Sequence, residues 1–306
     1  MYAAAARPFA DAIHRADPAA TVAAAMSDAG FQNRGWDDAL AAFAPRYWDA
    51  VVYHHYPTVS GAPERLMAAL DAVLADRTTA YVEREVRPRF GAMPLMITES
   101  GPQDGLEPGM SGTLYGGVWS AEYALRMSAL PQVTHFGVHQ LIGPAGVGVD
   151  VGDAAPGARP VSLYTSAQGA VYTVAASAIN SARGVYATRV RGSATVRRDR
   201  GDAMPAVYAQ AYHRDGGDDD GDVVVVTNKG SHAEALALVV DGQVVGSPMR
   251  VVTVTGPSAT ATNTLGHARV VATTSAASRT VRIPPFSVVR IDWRGSGRAP
   301  SGVTGR

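Results

Sequence analysis

The chain has 306 residues, of which 46% are hydrophobic and 18% are charged, and its 27 basic side chains balance 27 acidic ones. This composition is typical of a globular protein and excludes a disordered polymer. Because there is no basic excess for a phosphate backbone or an anionic bilayer surface, neither nucleic acid nor a membrane is an expected partner.

Two residue types are missing or nearly so. The absence of cysteine excludes disulfides, thiolate nucleophiles and cysteine metal sites. The single lysine, Lys229, follows an asparagine rather than a glycine, which excludes a P-loop.

No stretch reaches the ~20 apolar residues of a membrane helix, and the N-terminus lacks the apolar core of a signal peptide. The compartment stays open, since a secreted and a cytoplasmic full-length protein both fit.

Residues 1–182 alternate helical periodicity with short apolar runs. In chain order, the pattern predicts a helix at 5–16, a strand at 21–25, a helix at 36–43, a strand at 49–56, a helix at 63–75 that continues over 79–87, a strand at 94–99, a helix at 112–130, a strand at 133–141 and a helix at 161–182. Such alternation favours parallel βα units, which fit either a doubly wound sheet or a (β/α)8 barrel. A full barrel needs about 250 residues, so this region accommodates the last four βα units, or half of one.

The remainder of the chain is rich in valine, threonine and glycine. Short strands separated by turn residues over 183–294 predict an antiparallel β-sandwich. The pair Asp241-Gly242 is a two-residue hairpin signal inside it. Residues 295–306 are rich in glycine, serine and arginine and are predicted to be a disordered tail. The expected fold class is therefore α/β followed by all-β.

Glu99 is the first candidate for a chemical role. It ends a predicted strand, and barrel enzymes place catalytic side chains at the carboxyl ends of their strands. Strict alternation puts Leu95, Ile97 and Glu99 on one face, with the carboxylate above two core residues. Position alone fits an ordinary solvated glutamate equally well.

Other polar side chains end the neighbouring strands. His54 and Tyr56 share one face of the preceding strand and can converge on Glu99, where a tyrosine hydroxyl would hold the carboxylate ionised and oriented. His55 points the other way and is expected to be structural. On the last strand of this region one of His139 and Gln140 should face the pocket, and the spacing does not decide which. An aromatic strand end with one satisfied histidine explains the same pattern without a function.

Several motifs around these residues occur together in one group of enzymes. They are the runs WDAVVYHHYP at 48–57, LMITE at 95–99, GTLYGGVWSAEYAL at 112–125, QLI at 140–142, VVVTN at 224–228 and PPFSV at 284–288. In this order they resemble the second half of a clan A retaining glycoside hydrolase, with the α-L-arabinofuranosidase, β-xylosidase and β-glucuronidase families the most similar.

The resemblance implies a C-terminal half of a (β/α)8 (TIM) barrel followed by a β-sandwich. It also implies that Glu99 is the nucleophile of a double displacement and that Tyr56 sets its charge. His54, His139 and Gln140 would contact hydroxyls of an oligosaccharide or glycoside substrate. No metal and no organic cofactor is implied.

One part of the family's machinery is missing. Retaining glycosidases need a second carboxyl group as acid/base, which in this clan is a glutamate preceded by asparagine. No asparagine here is followed by glutamate, and Glu107, the nearest substitute, is expected to be a solvated loop residue. The acid/base and the first four strands would then lie upstream of Met1, and the chain alone is expected to be inactive or incomplete. A truncated reading frame is favoured over a separate N-terminal half or a homodimer of halves.

Two alternatives from other classes stay open. One is a non-catalytic carbohydrate-binding or structural protein in which the β-sandwich carries the function. The other is a hydrolase that uses Ser100 or Ser111, which is disfavoured because no serine has glycine two positions before and after it.

Overall fold

The structure is a computed structural model. It describes residues 2–27, 34–59, 61–104, 110–137, 149–151, 163–197, 203–214, 221–240, 242–245, 249–264, 266–293 and 303–305. Across these ranges, no helix combines the length and the apolar character needed to cross a bilayer.

The N-terminal part alternates helices and strands. Its elements are α1 (Tyr2–Ala16), β1 (Ala23–Ala25), α2 (Arg34–Ala41), β2 (Ala50–His55), β3 (Thr58–Val59), α3 (Pro63–Asp76), α4 (Thr79–Tyr81), α5 (Arg87–Phe90), β4 (Leu95–Ser100), β5 (Gln103–Asp104), α6 (Leu114–Ser128) and β6 (Val133–Phe136). Strands β1, β2, β4 and β6 form a four-stranded sheet in that order, and each neighbouring pair is parallel. This confirms the predicted parallel βα arrangement.

The rest of the chain is dominated by strands. Its elements are β7 (Val149–Val151), β8 (Leu163–Thr165), α7 (Ala167–Asn180), β9 (Gly184–Tyr186), β10 (Thr195–Arg197), β11 (Ala203–Pro205), β12 (Val207–Arg214), β13 (Gly221–Asn228), β14 (Glu234–Ala237), β15 (Val239–Val240), β16 (Gln243–Val244), β17 (Met249–Thr255), β18 (Val271–Ala277), β19 (Thr280–Ile283), β20 (Ser287–Trp293) and β21 (Val303–Gly305). Seven of them form an antiparallel sheet in the order β18-β17-β20-β13-β12-β9-β21. The chain is thus a mixed α/β protein with separate parallel and antiparallel sheets.

Helix α6 is buried around its whole circumference because it belongs to two cores. Tyr115, Trp119 and Tyr123 pack with the parallel sheet and α3, whereas Leu114 and Val118 pack with α7 and the antiparallel sheet. Trp119 also donates from its indole nitrogen to the carbonyl of Leu70 in α3, at 2.9 Å. Helix α6 therefore lies inside the protein and joins the four-stranded parallel sheet to the seven-stranded antiparallel sheet.

Two predicted helices differ from the observed ones. Residues 79–87 do not continue α3, because Thr78 has a non-helical backbone (φ −109°, ψ −117°) and its hydroxyl donates to the carbonyl of Leu74. The helix predicted over 161–182 begins only at Ala167. Its N-cap is Ser166, whose hydroxyl accepts from the backbone N–H of Gly169 at 2.9 Å, and the residues before it form β8, paired with β7.

One short strand lies in the C-terminal tail. Within residues 295–306, which the composition predicts to be disordered, the structure describes Val303–Gly305, and these pair antiparallel with Gly184–Tyr186. Without them, β9 would be an edge strand with one row of unpaired backbone groups.

Candidate active site

The candidate site lies where β2 and β4 end side by side. On β2 the side chains alternate, so that Tyr53 and His55 are buried against the helices while Val52 and His54 lie on the opposite, half-buried face. Tyr56 follows β2 on the same side as His54. The two strands are parallel neighbours, and their carboxyl ends therefore meet at one rim of the sheet.

Glu99 reaches this face through an irregularity in β4. Leu95 and Ile97 are fully buried, as alternation predicts, but the next buried residue is Ser100 rather than Glu99. The pairing with β2 slips at the same point: Tyr53 is opposite Ile97, whereas His54 is opposite Glu99. The prediction that Leu95, Ile97 and Glu99 share one face is therefore wrong. A β-bulge at Thr98 moves Glu99 to the open face.

Two side chains hold the Glu99 carboxylate. The hydroxyl of Tyr56 donates to Oε2 of Glu99, which is the contact expected from the sequence. The Nδ1 atom of His54 is 3.5 Å from the same oxygen, and Nε2 of His54 is 3.0 Å from Oγ1 of Thr98. The Glu99 side chain is 37% exposed and that of His54 is 43% exposed. The carboxylate is thus fixed in orientation while one side of it faces solvent.

His55 has a structural environment, as predicted. Its ring lies 5.0 Å from that of Tyr123 and 6.4 Å from those of Tyr53 and Trp119, measured between centroids. Burial, aided by the positive charge of Arg77, lowers the pKa of His55 to about 3, so the imidazole is neutral at physiological pH. Because His55 is neutral and enclosed by aromatic rings, it cannot contact a ligand at the rim, which lies on the other face of β2.

The remaining predicted site residues fall outside the described part of the chain. His139, Gln140 and the rejected candidate Glu107 all lie in ranges that the structure leaves undescribed. Among the residues that it does describe, there is no group of three or more side chains suited to hold a metal ion.

Sequence reasoning missed a cluster of buried charges between the two sheets. Glu122 of α6 accepts a hydrogen bond from Nζ of Lys229 at 2.5 Å and another from the Thr227 hydroxyl at 2.8 Å. Arg126, one turn further along α6, contacts the other carboxylate oxygen at 2.7 Å. Burial alone would raise the pKa of Glu122, but Lys229 and Arg126 outweigh it and the pKa is lowered. The single lysine of the chain and the lone glutamate within an apolar helix were the available signals.

A second buried carboxylate lies beside this cluster. Asp71 of α3 is hydrogen-bonded to Tyr115, and its Oδ1 atom has no hydrogen-bond partner. Burial raises the pKa of Asp71 to about 7, against the opposing effect of Lys229. Burial and the neighbouring Asp71 also raise the pKa of Tyr115 well above its usual value. These groups hold the interior together and are far too enclosed to meet a ligand.

Comparison with solved structures places this arrangement in a known fold. No family model and no curated protein sequence matches the chain. The α-L-arabinofuranosidase of Thermotoga maritima, solved with arabinose, is similar with a TM-score of 0.70 and 16% identity over 95% of this chain and 61% of that one. A family 51 α-L-arabinofuranosidase from Bifidobacterium longum is similar with a TM-score of 0.71 and 16% identity over 96% of this chain and 63% of that one. A 4-O-α-L-rhamnosyl-β-D-glucuronidase from Fusarium oxysporum has a TM-score of 0.61 and 14% identity, covering 95% and 64%.

These matches agree with the resemblance found in the sequence. Nearly the whole chain shares its fold with glycoside hydrolases, yet it spans less than two thirds of the length of each of the three structures. This coverage is consistent with the C-terminal portion of a clan A glycoside hydrolase. Identities of 14–16% establish the fold and leave substrate and activity to be argued from the site.

Proposed function

We propose that the chain is the C-terminal portion of a retaining glycoside hydrolase and that Glu99 is its nucleophile. The observation that supports this most strongly is the position of the carboxylate, held by Tyr56 at the carboxyl end of a parallel strand and half open to solvent. In a fold shared with arabinofuranosidases, that rim is where chemistry on a ligand takes place.

The proposed reaction is a double displacement at an anomeric carbon. Tyr56 and His54 both engage Oε2 of Glu99, so we assign Oε1 to the attack. The new bond from Oε1 to the anomeric carbon forms as the bond to the leaving oxygen breaks, which gives a glycosyl ester. Water then attacks the same carbon and releases Glu99 as a carboxylate. His54, exposed beside it, is assigned to a sugar hydroxyl, and His139 and Gln140 keep that role as proposals.

The first step needs a proton donor for the leaving oxygen. Retaining enzymes use a second carboxylic acid about 5–5.5 Å from the nucleophile. Among the described residues, the side chains that contact the Glu99 carboxylate are those of Tyr56 and His54. We therefore propose that the acid/base comes from polypeptide beyond this chain, and that the chain alone loses the general-acid factor of about 10²–10⁴.

The proposed architecture follows from the same reasoning. We assign residues 1–182 to half of a (β/α)8 barrel and residues 183–294 to a β-sandwich. Strand β1 is an edge of the parallel sheet, and four large apolar side chains of α1 and α2 expose 38–72% of their surface: Tyr2, Phe9, Ile13 and Trp36. A free strand edge and large exposed apolar side chains each favour a covering polypeptide, and the rest of the barrel is the proposed cover.

Aryl glycosides with different leaving groups test this proposal. A dinitrophenolate leaves without protonation, so the purified chain should hydrolyse a dinitrophenyl glycoside and be nearly inactive on the corresponding methyl glycoside. Arabinofuranosides, xylosides and glucuronides form the panel. We expect Glu99→Gln to lower the dinitrophenyl rate at least 100-fold.

The matched control is Glu83→Gln, which removes an exposed helix carboxylate that pairs with Arg87 and should leave the rate unchanged. Equal rates for wild type and Glu99→Gln would contradict the proposed role. Retained glycan binding without any hydrolysis would instead support a non-catalytic carbohydrate-binding protein.

A further inference from the structure

We infer that Ser100 and Gly137 are positioning residues that set the β-bulge of β4 and so direct Glu99 to the open face of the sheet. This inference rests on the proposed function only for the chemistry of Glu99; the geometry stands by itself. The residues that carry it are Ile97, Thr98 and Ser100 on β4 and Gly137 at the end of β6.

Gly137 bonds to β4 on both sides of the bulge. Its backbone N–H donates to the carbonyl of Ile97 at 2.7 Å. Its carbonyl accepts from the hydroxyl of Ser100 at 2.9 Å. The backbone N–H and C=O of Gly137 therefore hold the two ends of the segment from Ile97 to Ser100. Thr98 and Glu99 lie within this segment. A segment tied at both ends in this way has a fixed length and cannot return to regular alternation.

Only glycine fits at this position. A Cβ added at Gly137 would lie 2.6 Å from the carbonyl oxygen of Thr98, which is the bulged residue. That atom belongs to the backbone and cannot move aside as a flexible side chain would. Any larger residue would move β6 away from β4 or flatten the bulge. Either change would displace Glu99, the residue after Thr98.

Ser100 contributes from the buried side. It is 1% exposed and occupies the core position that strict alternation would assign to Glu99. Its hydroxyl takes part in a bond to Gly137, so a small polar side chain is satisfied there where an ionised carboxylate would be costly. Ser100 thus keeps the core position filled while Glu99 stays beside Tyr56 and His54.

Nuclear magnetic resonance of the full chain tests the inference without relying on hydrolysis. The protein contains 12 tyrosines, and labelling their Cζ atoms with ¹³C gives one resonance for each, of which Tyr56→Phe identifies the one from Tyr56. Glu99→Gln removes the charged acceptor and should move that resonance. We expect Ser100→Ala and Gly137→Ala each to move it in the same direction by at least half of that displacement.

Two matched controls separate positioning from general destabilisation. Gly117→Ala introduces a Cβ that is almost as tight, 2.8 Å from Cβ of Val171 between α6 and α7, and Ser128→Ala removes another buried hydroxyl. Both should leave the Tyr56 resonance in place. If Gly137→Ala does not fold, Ser100→Ala alone decides. An unmoved resonance in the folded variants, or one that moves equally in the controls, would overturn the inference.

Covalent trapping distinguishes this inference from the proposed function. With a 2-fluoro glycoside bearing an activated leaving group, we expect Ser100→Ala and Gly137→Ala to be modified at Glu99 at least tenfold more slowly than wild type. Equal trapping rates would contradict positioning. If the wild type itself is never modified, the proposed function fails, and the tyrosine resonance still decides whether Ser100 and Gly137 hold the bulge.

Discussion

The chain pairs a carboxylate with a tyrosine in two places, and the surroundings give the two pairs different properties. Glu99 and Tyr56 lie at the rim of the parallel sheet, where the carboxylate is 37% exposed. Asp71 and Tyr115 lie in the core where α3 meets α6, and both are almost fully buried. The pairs use the same hydrogen bond, but only the first can meet a ligand.

The buried pair shows what burial does to such a carboxylate. Around Asp71 there are two cations, Lys229 and Arg126, and one further anion, Glu122, and the pKa of Asp71 still rises to about 7. Desolvation therefore outweighs the cations there. Nucleophilic attack requires an ionised and accessible carboxylate, so solvent access decides which of the two pairs is suited to chemistry and which to structure.

Among the buried residues, replacing His55 should have the largest effect on the pH dependence of the free energy of unfolding. Its pKa is lowered to about 3, so the folded state resists protonation, and stability present above pH 6.5 is lost as the pH falls toward 3. The loss reaches about 5 kcal/mol. We expect His55→Phe, which keeps an aromatic ring in the core, to lack this loss in urea unfolding between pH 4 and 7. A variant with the wild-type pH dependence would contradict the burial of a neutral imidazole.

The contribution of Asp71 to stability should depend on pH with the opposite sign, which Asp71→Asn tests. The folded pKa of about 7 lies above the unfolded value of 3.8, so the favourable contribution of Asp71 is complete below about pH 4 and is lost as the pH rises to 7. The loss is up to about 4 kcal/mol. Relative to wild type, Asp71→Asn should therefore gain stability as the pH rises through this window. A constant difference between the two proteins would exclude the shift.

The effects of these two residues oppose each other between pH 4 and 6.5. The wild type should accordingly have a flatter stability profile than either single variant. Unfolding curves of all three proteins, measured in one buffer series, compare the two residues directly.

Lys229→Met should destabilise the interior by about 3 kcal/mol, the lower end of the range for a broken buried ion pair, because Arg126 still contacts Glu122. The matched control is Arg87→Met, which breaks the half-exposed pair with Glu83 and should cost less than about 1 kcal/mol. Denaturant unfolding at pH 7 measures both. Equal losses would mean that the buried cluster is not a link between the two sheets.

Tyr56→Phe should have the smallest effect, and one confined to the rim. Removing a hydrogen bond to a charged group costs about 1.5–3 kcal/mol. Because this bond orients the Glu99 carboxylate, the rate of any reaction at Glu99 should fall about tenfold or more. Tyr53→Phe is the control, since Tyr53 is on the same strand but faces the core, with its hydroxyl 3.3 Å from that of Tyr123. A similar loss in both variants would show that the effect is not local to Glu99.

The regular parts of this fold could be predicted because they depend on local patterns. The parallel strands and α3 follow from apolar spacing, as at Leu66, Leu70 and Leu74, and the approach of Tyr56 to Glu99 follows from adjacent parallel strands. These features need only the periodicity of each element and its neighbour along the chain.

The parts that escaped prediction depend on contacts between distant residues. Strict alternation assigns Glu99 to the same face as Leu95 and Ile97. This assignment fails because the β-bulge depends on Gly137, which lies 37 positions from Ser100 in the sequence. The ion pair of Glu122 and Lys229 joins residues 107 positions apart. No local pattern in one sequence carries such pairings.

The most direct test of the central claim is mass spectrometry of the chain after incubation with an activated 2-deoxy-2-fluoro-glycoside, which forms a stable ester with a nucleophilic carboxylate and needs no proton donor. The account predicts a mass increase of one fluoroglycosyl unit, located on Glu99 by peptide mapping and absent in Glu99→Gln. Attachment to a different carboxylate, or no attachment with arabinosyl, xylosyl and glucuronyl probes alike, would contradict it.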